Sequence, residues 1–178
     1  MTTNTNRNIA VPQAIANSNA GVMLVAKILG EQFNRTDFII SQGRDSAKDI
    51  ILLADEIYQH DILVEVKEDF KCYQSDRVGD DRLAIEYENR LSGDSGIYTS
   101  KADYYAFIAH RQDKIQLIVI DKIDLLQIHL RYVGRNSFQR WCGDIVNGKR
   151  IAHCNLVPIN EVIEKAIILR DIGDQLWI

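Results

Sequence analysis

Three cysteines in 178 residues, Cys72, Cys142 and Cys154, are too few and too scattered to make a disulfide framework. Their odd number, with no leader-like segment at the start, fits a reducing interior and a cytoplasmic location. No apolar run approaches the roughly 20 residues of a membrane-spanning helix, so no membrane partner is expected. Nor is there an excess of positive charge. The formal net charge of −4 excludes a protein that grips nucleic acid through overall basicity. It leaves room for a local cationic groove around an acidic metal site, because metal-binding carboxylates themselves lower the net charge. A glycine-rich phosphate loop is missing too: Gly30, Gly43, Gly79 and Gly93 stand apart as turn glycines. Cys142 with His153-Cys154 lacks the paired spacing of a zinc site.

What is present is a core. A hydrophobic content of 46% in a chain of this length fits one globular domain, residues 11–178, after a Thr/Asn-rich frayed tail, residues 1–10. From Asn19 to Phe33, apolar residues at Val22, Val25, Ala26, Leu29 and Phe33 make one helical face, with Ser18 or Asn19 available as a cap. Strands are predicted over 37–40, 49–54, 61–67 and 83–88, with a polar loop over 68–81. Tyr104–Ala109 and Ile115–Ile120 read as two strands joined by a polar turn. Asp121 can cap a helix running to about Tyr132. The segment 134–149 reads as irregular and basic, and His153–Val157 as a further strand. A closing helix follows Pro158 and Asn160, burying Val162, Ile163, Ala166 and Ile167. The order predicts an α/β fold, a mixed central β-sheet flanked by helices.

Chemistry concentrates in residues 61–68. Strand alternation puts Ile62, Val64 and Val66 on one face and Leu63, Glu65 and Lys67 on the other. A carboxylate and an amine are thereby held side by side on a rigid element. If the strand opened by Asp49 lies alongside, a second carboxylate joins them, and two carboxylates with water make a site for a hard divalent cation such as Mg²⁺. A neighbouring lysine can orient or deprotonate the attacking water, or stabilise charge on a phosphate. An acid-x-lysine triplet alone says little, and Asp69-Phe70-Lys71 is a second one. Asp45 and Asp55 are rivals to Asp49, the first suited to a turn and the second to the far end of its strand.

Lys48-Asp49, then a strand, a turn and Glu65-Val66-Lys67, resembles the PD-(D/E)xK signature of the restriction-endonuclease-like nucleases, with Lys48 in place of the proline. The resemblance implies a restriction-endonuclease-like core. It implies Asp49 and Glu65 as metal ligands, the Val66 backbone carbonyl as a further ligand, and Lys67 as the catalytic lysine. The helix 19–33 corresponds to the family's first helix, which often carries a glutamate. Here its central turn has Val25 and Ala26, and Glu31 lies near the end; the site either does without this acid or is reached by Glu31. Leu83-Ala84-Ile85-Glu86-Tyr87-Glu88, Ser95-Gly96-Ile97 and Lys101-Ala102-Asp103-Tyr104-Tyr105 are similar to segments of phage-associated members. By that likeness Glu86 supports the metal or its water and Lys101 contacts a phosphate.

The stretch 131–150 holds Arg131, Arg135, Arg140, Lys149 and Arg150 against one acid, Asp144, with Tyr132, Phe138 and Trp141 interleaved. Basic residues beside aromatics suit phosphate contacts and base stacking; alternatively the aromatics pack back on the core. The expected activity is a deoxyribonuclease dependent on Mg²⁺, with Mn²⁺ as a substitute, acting on DNA; a homodimer is an arrangement the resemblance allows. The alternative is a catalytically silent DNA-binding or regulatory protein that keeps the nuclease fold.

Overall fold

The computed structural model describes residues 11–41, 50–56, 59–69, 81–111 and 113–173, without the side chains of 11–19 and 142–145. Asp49, residues 1–10 and most of the loop 68–81 lie outside this set. A long helix, α1 (Val11–Phe33), leads into β1 (Phe38–Ile40), β2 (Ile50–Leu52) and β3 (Ile62–Asp69). Next come β4 (Arg82–Asn89), β5 (Gly93–Asp94), β6 (Tyr104–His110) and β7 (Ile115–Asp121), then α2 (Lys122–Leu130). A hairpin of β8 (Gln139–Val146) and β9 (Lys149–Pro158), a short α3 (Ile159–Ile163) and β10 (Ile168–Asp171) complete the order.

These strands build two sheets. The first is mixed, in the order β1-β2-β3-β6-β7-β10, with β3 and β6 parallel and the neighbours antiparallel. The second is antiparallel, in the order β5-β4-β9-β8. The central mixed sheet is thus the one expected, flanked by helices. The second sheet was not foreseen, and β4 belongs to it. A parallel pair cannot be joined by a tight turn; between β3 and β6 the chain crosses over through β4 and β5.

Strand alternation divides the core in two. On one face of the mixed sheet Ile50, Leu52, Val64, Val66, Ala106, Ile108, Leu117 and Val119 pack under Val25, Ala26, Ile28 and Leu29 of α1. On the other, Tyr105, Phe107, Ile118 and Ile120 pack against Leu83 and Ile85 of β4, Leu125 and Ile128 of α2, and Val162 of α3. β6 and β7 are buried on both faces, which suits their nearly continuous apolar sequence.

Several boundaries differ from expectation for physical reasons. α1 starts at Val11, so Ser18 and Asn19 lie inside it; Pro12 is tolerated in a first turn, where backbone N–H groups lack helical partners anyway. Asp121 caps α2 as expected, its carboxylate accepting from Ile123 N–H at 2.7 Å. The segment 134–149 is not irregular: Asn147 (φ 50°) and Gly148 (φ 74°) make a two-residue turn between β8 and β9. Asn-Gly is the dipeptide such a turn favours. The closing helix stops after five residues, and Ile167 is exposed rather than buried. Ile168 pairs with Val119, so the β-branched run is used as an edge strand. Cys154, buried on β9, is engaged in a disulfide, contrary to the expectation of reduced thiols. Among the described residues no helix is long and apolar enough to cross a membrane.

His129, in the last turn of α2, is fully buried against the rings of Tyr87 and Tyr98, with centroids at 5.2 and 5.3 Å. Its Nε2 meets the Tyr98 hydroxyl at 3.0 Å and its Nδ1 meets Asn155 Nδ2 at 3.2 Å. Burial lowers its pKa to about 4, because the imidazolium would lose its hydration. The unfolded chain takes up this proton near pH 6.5, the folded chain only near 4. His129 therefore withdraws stability as pH falls through that window, by roughly 3 kcal/mol in full. Urea denaturation at pH 7.5 and 4.5 should show this loss, and His129→Gln should give a flatter profile between the two.

Candidate active site

β3 gathers the chemistry. Its register with β2 pairs Ile50 with Val64, and its parallel register with β6 sets Glu65 beside Tyr105 and Lys67 beside Phe107. Val64 and Val66 point under α1 as expected, so Glu65 and Lys67 face the space between the two sheets. Glu65 is only 5% exposed. Its Oε1 lies 2.5 Å from Lys67 Nζ, whose side chain is 45% exposed. The ammonium compensates one oxygen of a carboxylate that would otherwise lose its hydration unrewarded. The second oxygen, Oε2, is sealed from solvent with no hydrogen-bond partner.

Tyr105, 3% exposed, is the neighbour that sequence reasoning passed over. Its buried hydroxyl interacts with the side chains of Glu65 and Ser100. Burial raises its pKa well above the usual phenol range, with the Glu65 charge adding to the effect and Glu86 contributing further. The signal for Tyr105 was available in Tyr104-Tyr105 itself. One of two adjacent tyrosines on a strand must face Glu65, but only the register decides which.

Glu86 is held from two sides. Ser95 Oγ donates to its Oε1 at 2.6 Å. Gly96, at φ 52°, lies so close that a Cβ there would sit 2.2 Å from the Glu86 carbonyl oxygen and 2.9 Å from its Cβ. The Ser95-Gly96-Ile97 motif thus has a mechanical meaning: serine fixes the carboxylate, glycine permits the approach, and Ile97 anchors the turn in the core. A β-bulge follows at once, between Glu86 and Glu88.

The other named residues are dispersed. Asp49 and its rival Asp45 lie outside the described residues; Asp55 is exposed beyond the end of β2. Val66 carries its main chain between Glu65 and Lys67, paired with Ala106. Lys101 is exposed, while Asp103 accepts from Leu63 N–H at 2.8 Å and clamps the start of β6 to β3. Glu31 does not reach the site: it is exposed and pairs at 3.8 Å with Arg170 on β10, and α1 covers the face opposite Glu65.

Of the basic residues, Arg140, Lys149 and Arg150 are exposed on the β8–β9 hairpin. Arg131 pairs with Glu161 at 2.8 Å, and Arg135 lies over the Tyr132 ring at 5.3 Å. Tyr132 and Phe138 pack on the core, as the alternative reading of the aromatics expected. Trp141 instead stacks on His153 at 4.3 Å under the Arg90 guanidinium. Arg90 belonged to no motif and is brought there by the pairing of β4 with β9.

Among the described residues no three His, Cys, Asp or Glu side chains gather as a ready cation cage. A hard cation does not require one. Mg²⁺ is commonly held by one or two carboxylates, with water and substrate phosphate filling the rest. Glu65, with Oε1 on the Lys67 ammonium and Oε2 sealed from solvent, is one carboxylate of the kind that mode uses. No family model, curated protein or solved structure matches the chain.

Gly96→Ala should lower the stability to urea by about 2 kcal/mol or more, from positive φ and the clash with Glu86. Ser95→Ala, which only releases the carboxylate, should cost about 1 kcal/mol by the same measurement.

Proposed function

We propose that this chain is a metal-dependent deoxyribonuclease with a restriction-endonuclease-like core, hydrolysing DNA phosphodiester bonds. One observation carries the reading: a nearly sealed carboxylate, Glu65, shares a strand face with Lys67 and keeps one oxygen without a partner. Asp49 enters as the second acid because a single peptide bond joins it to Ile50, which pairs with Val64 next to Glu65.

Glu65 and Asp49, with the Val66 carbonyl, would hold Mg²⁺ or Mn²⁺, which when bound polarises the scissile phosphate and lowers the pKa of a coordinated water. Lys67 reaches from Glu65 towards solvent and there orients the attacking water or stabilises charge on the phosphate. Glu86, fixed by Ser95, supports the water shell. Lys101 offers a phosphate contact from the exposed turn before β6. Arg140, Lys149 and Arg150 give the second sheet a cationic edge for the DNA backbone, with Arg131 and Arg135 beside the end of α2. Two copies of the chain would let both strands of a duplex be cut together.

A silent DNA-binding or regulatory protein of the same fold is the second reading. It is favoured by Glu31, which pairs with Arg170 on the far strand and leaves the site without an acid from the first helix. The two readings separate on plasmid and linear duplex DNA incubated with Mg²⁺ or Mn²⁺. The wild type should cut, and Glu65→Gln and Lys67→Ala should lose about 100-fold or more in rate. DNA binding in Ca²⁺ should persist in both variants. Binding without any lysine-dependent cleavage selects the silent reading; neither cleavage nor Mn²⁺ binding by the wild type removes the nuclease.

A further inference from the structure

We propose that Arg90 grips a backbone phosphate of DNA, its guanidinium held in place by Trp141. This rests on the DNA-binding reading above and extends it to a residue that no motif contains.

In the sequence Arg90 is a single basic residue following Glu86-Tyr87-Glu88-Asn89. The pairing of β4 with β9 changes its surroundings. Arg90 N–H donates to the Ile151 carbonyl at 2.9 Å, which brings the residue beside the Lys149–Arg150 end of the hairpin. There the guanidinium is fixed twice. Its Nε donates to the Arg150 carbonyl at 3.0 Å, and its central carbon lies 3.7 Å from the centre of the Trp141 ring. Trp141 is itself fixed, because it pairs with His153 in the ladder and stacks on that imidazole at 4.3 Å and 8°. An indole engaged by both partners is a platform for the guanidinium rather than for a nucleobase.

Arg111, Arg131 and Arg170 each meet a carboxylate, on Asp81, Glu161 and Glu31. Among the described residues no carboxylate meets Arg90, which is exposed. The acid nearest in sequence, Glu88, is turned to His153 at 3.1 Å. With Nε engaged on Arg150, the Nη edge remains, a planar fork that fits two phosphate oxygens. A long side chain normally loses rotamer freedom when it binds; here the stack and the Nε bond have already removed much of it. A positive charge held still and left without a counter-charge suits an anion. The setting selects which anion. Arg140, Lys149 and Arg150 are exposed on the same hairpin, and a strip of cations matches a chain of phosphates better than a lone ion.

Anisotropy of a short fluorescein-labelled DNA duplex, titrated in Ca²⁺ over a range of salt, tests the contact in wild type, Arg90→Gln and Arg90→Lys. Arg90→Gln should bind about 10-fold more weakly, and its slope of log affinity against log salt should be shallower by about 1, the loss of one phosphate contact. Arg90→Lys keeps the charge but loses the fork and the stack, so it should regain the slope and not the affinity. A native slope there also shows that the fold survives substitution at this position. Unchanged affinity and slope in Arg90→Gln, with duplex bound by the wild type, overturn the role of Arg90 and leave DNA binding standing. Full affinity in Arg90→Lys overturns the part given to Trp141. A wild type that binds no duplex, whether or not it binds phosphatidylserine vesicles, overturns Arg90 and the DNA interface together.

Discussion

The pairing of β3 with β6 is the constraint on which the rest of the structure depends. It is parallel, so the chain between the two strands must leave the sheet and return, and the segment that does so becomes β4, β5 and the turn at Gly96. At its centre, Val64 to Val66, β3 is buried on both faces. One face is apolar and accepts α1. The other carries Glu65 into the layer between the sheets, where β4 and the Ser95-Gly96-Ile97 turn are also brought. The crossover that satisfies the topology thus delivers the second carboxylate, Glu86, towards the surroundings of the first.

The second sheet is both cover and surface. Through Leu83 and Ile85 it closes the core over Tyr105 and Phe107. Through the β8–β9 hairpin it displays Arg140, Lys149 and Arg150 to solvent. A chain with net negative charge can present a cationic edge only by segregating its charges, and this hairpin does so. Trp141, stacked between ring and guanidinium partners, stiffens it.

Sequence alone revealed those features that depend on local periodicity or on short-range chemistry. Val25, Ala26 and Leu29 marked the buried face of α1, Ile62–Val64–Val66 the core side of β3, and Asp121 the cap of α2, because each signal is complete within a few residues. Long-range register was not legible. That Tyr105 rather than Tyr104 stands beside Glu65, that β4 joins β9 instead of β3, and that Arg90 lies over Trp141 follow from pairings between residues far apart in the chain. The β8–β9 hairpin is a different case. Asn147-Gly148 announces it plainly, but the surrounding basic and aromatic residues drew the reading towards an irregular segment.

The Glu65–Lys67 contact can be weighed against the plainer idea of a structural salt bridge. An ion pair on a solvated strand contributes little, and both partners can remain hydrated. Here the burial is lopsided: the carboxylate is almost sealed while the ammonium is nearly half exposed. A pair selected for stability would gain by becoming apolar, since hydrophobic replacements of buried ion pairs are often neutral or stabilising. The core on this face is otherwise built from leucine, isoleucine and aromatic side chains that could fill the space. Keeping a carboxylate there, nearly sealed from solvent beside a buried phenol, sets the local arrangement against the stability of the fold. Conflicts of this kind concentrate where a structure has chemistry to perform.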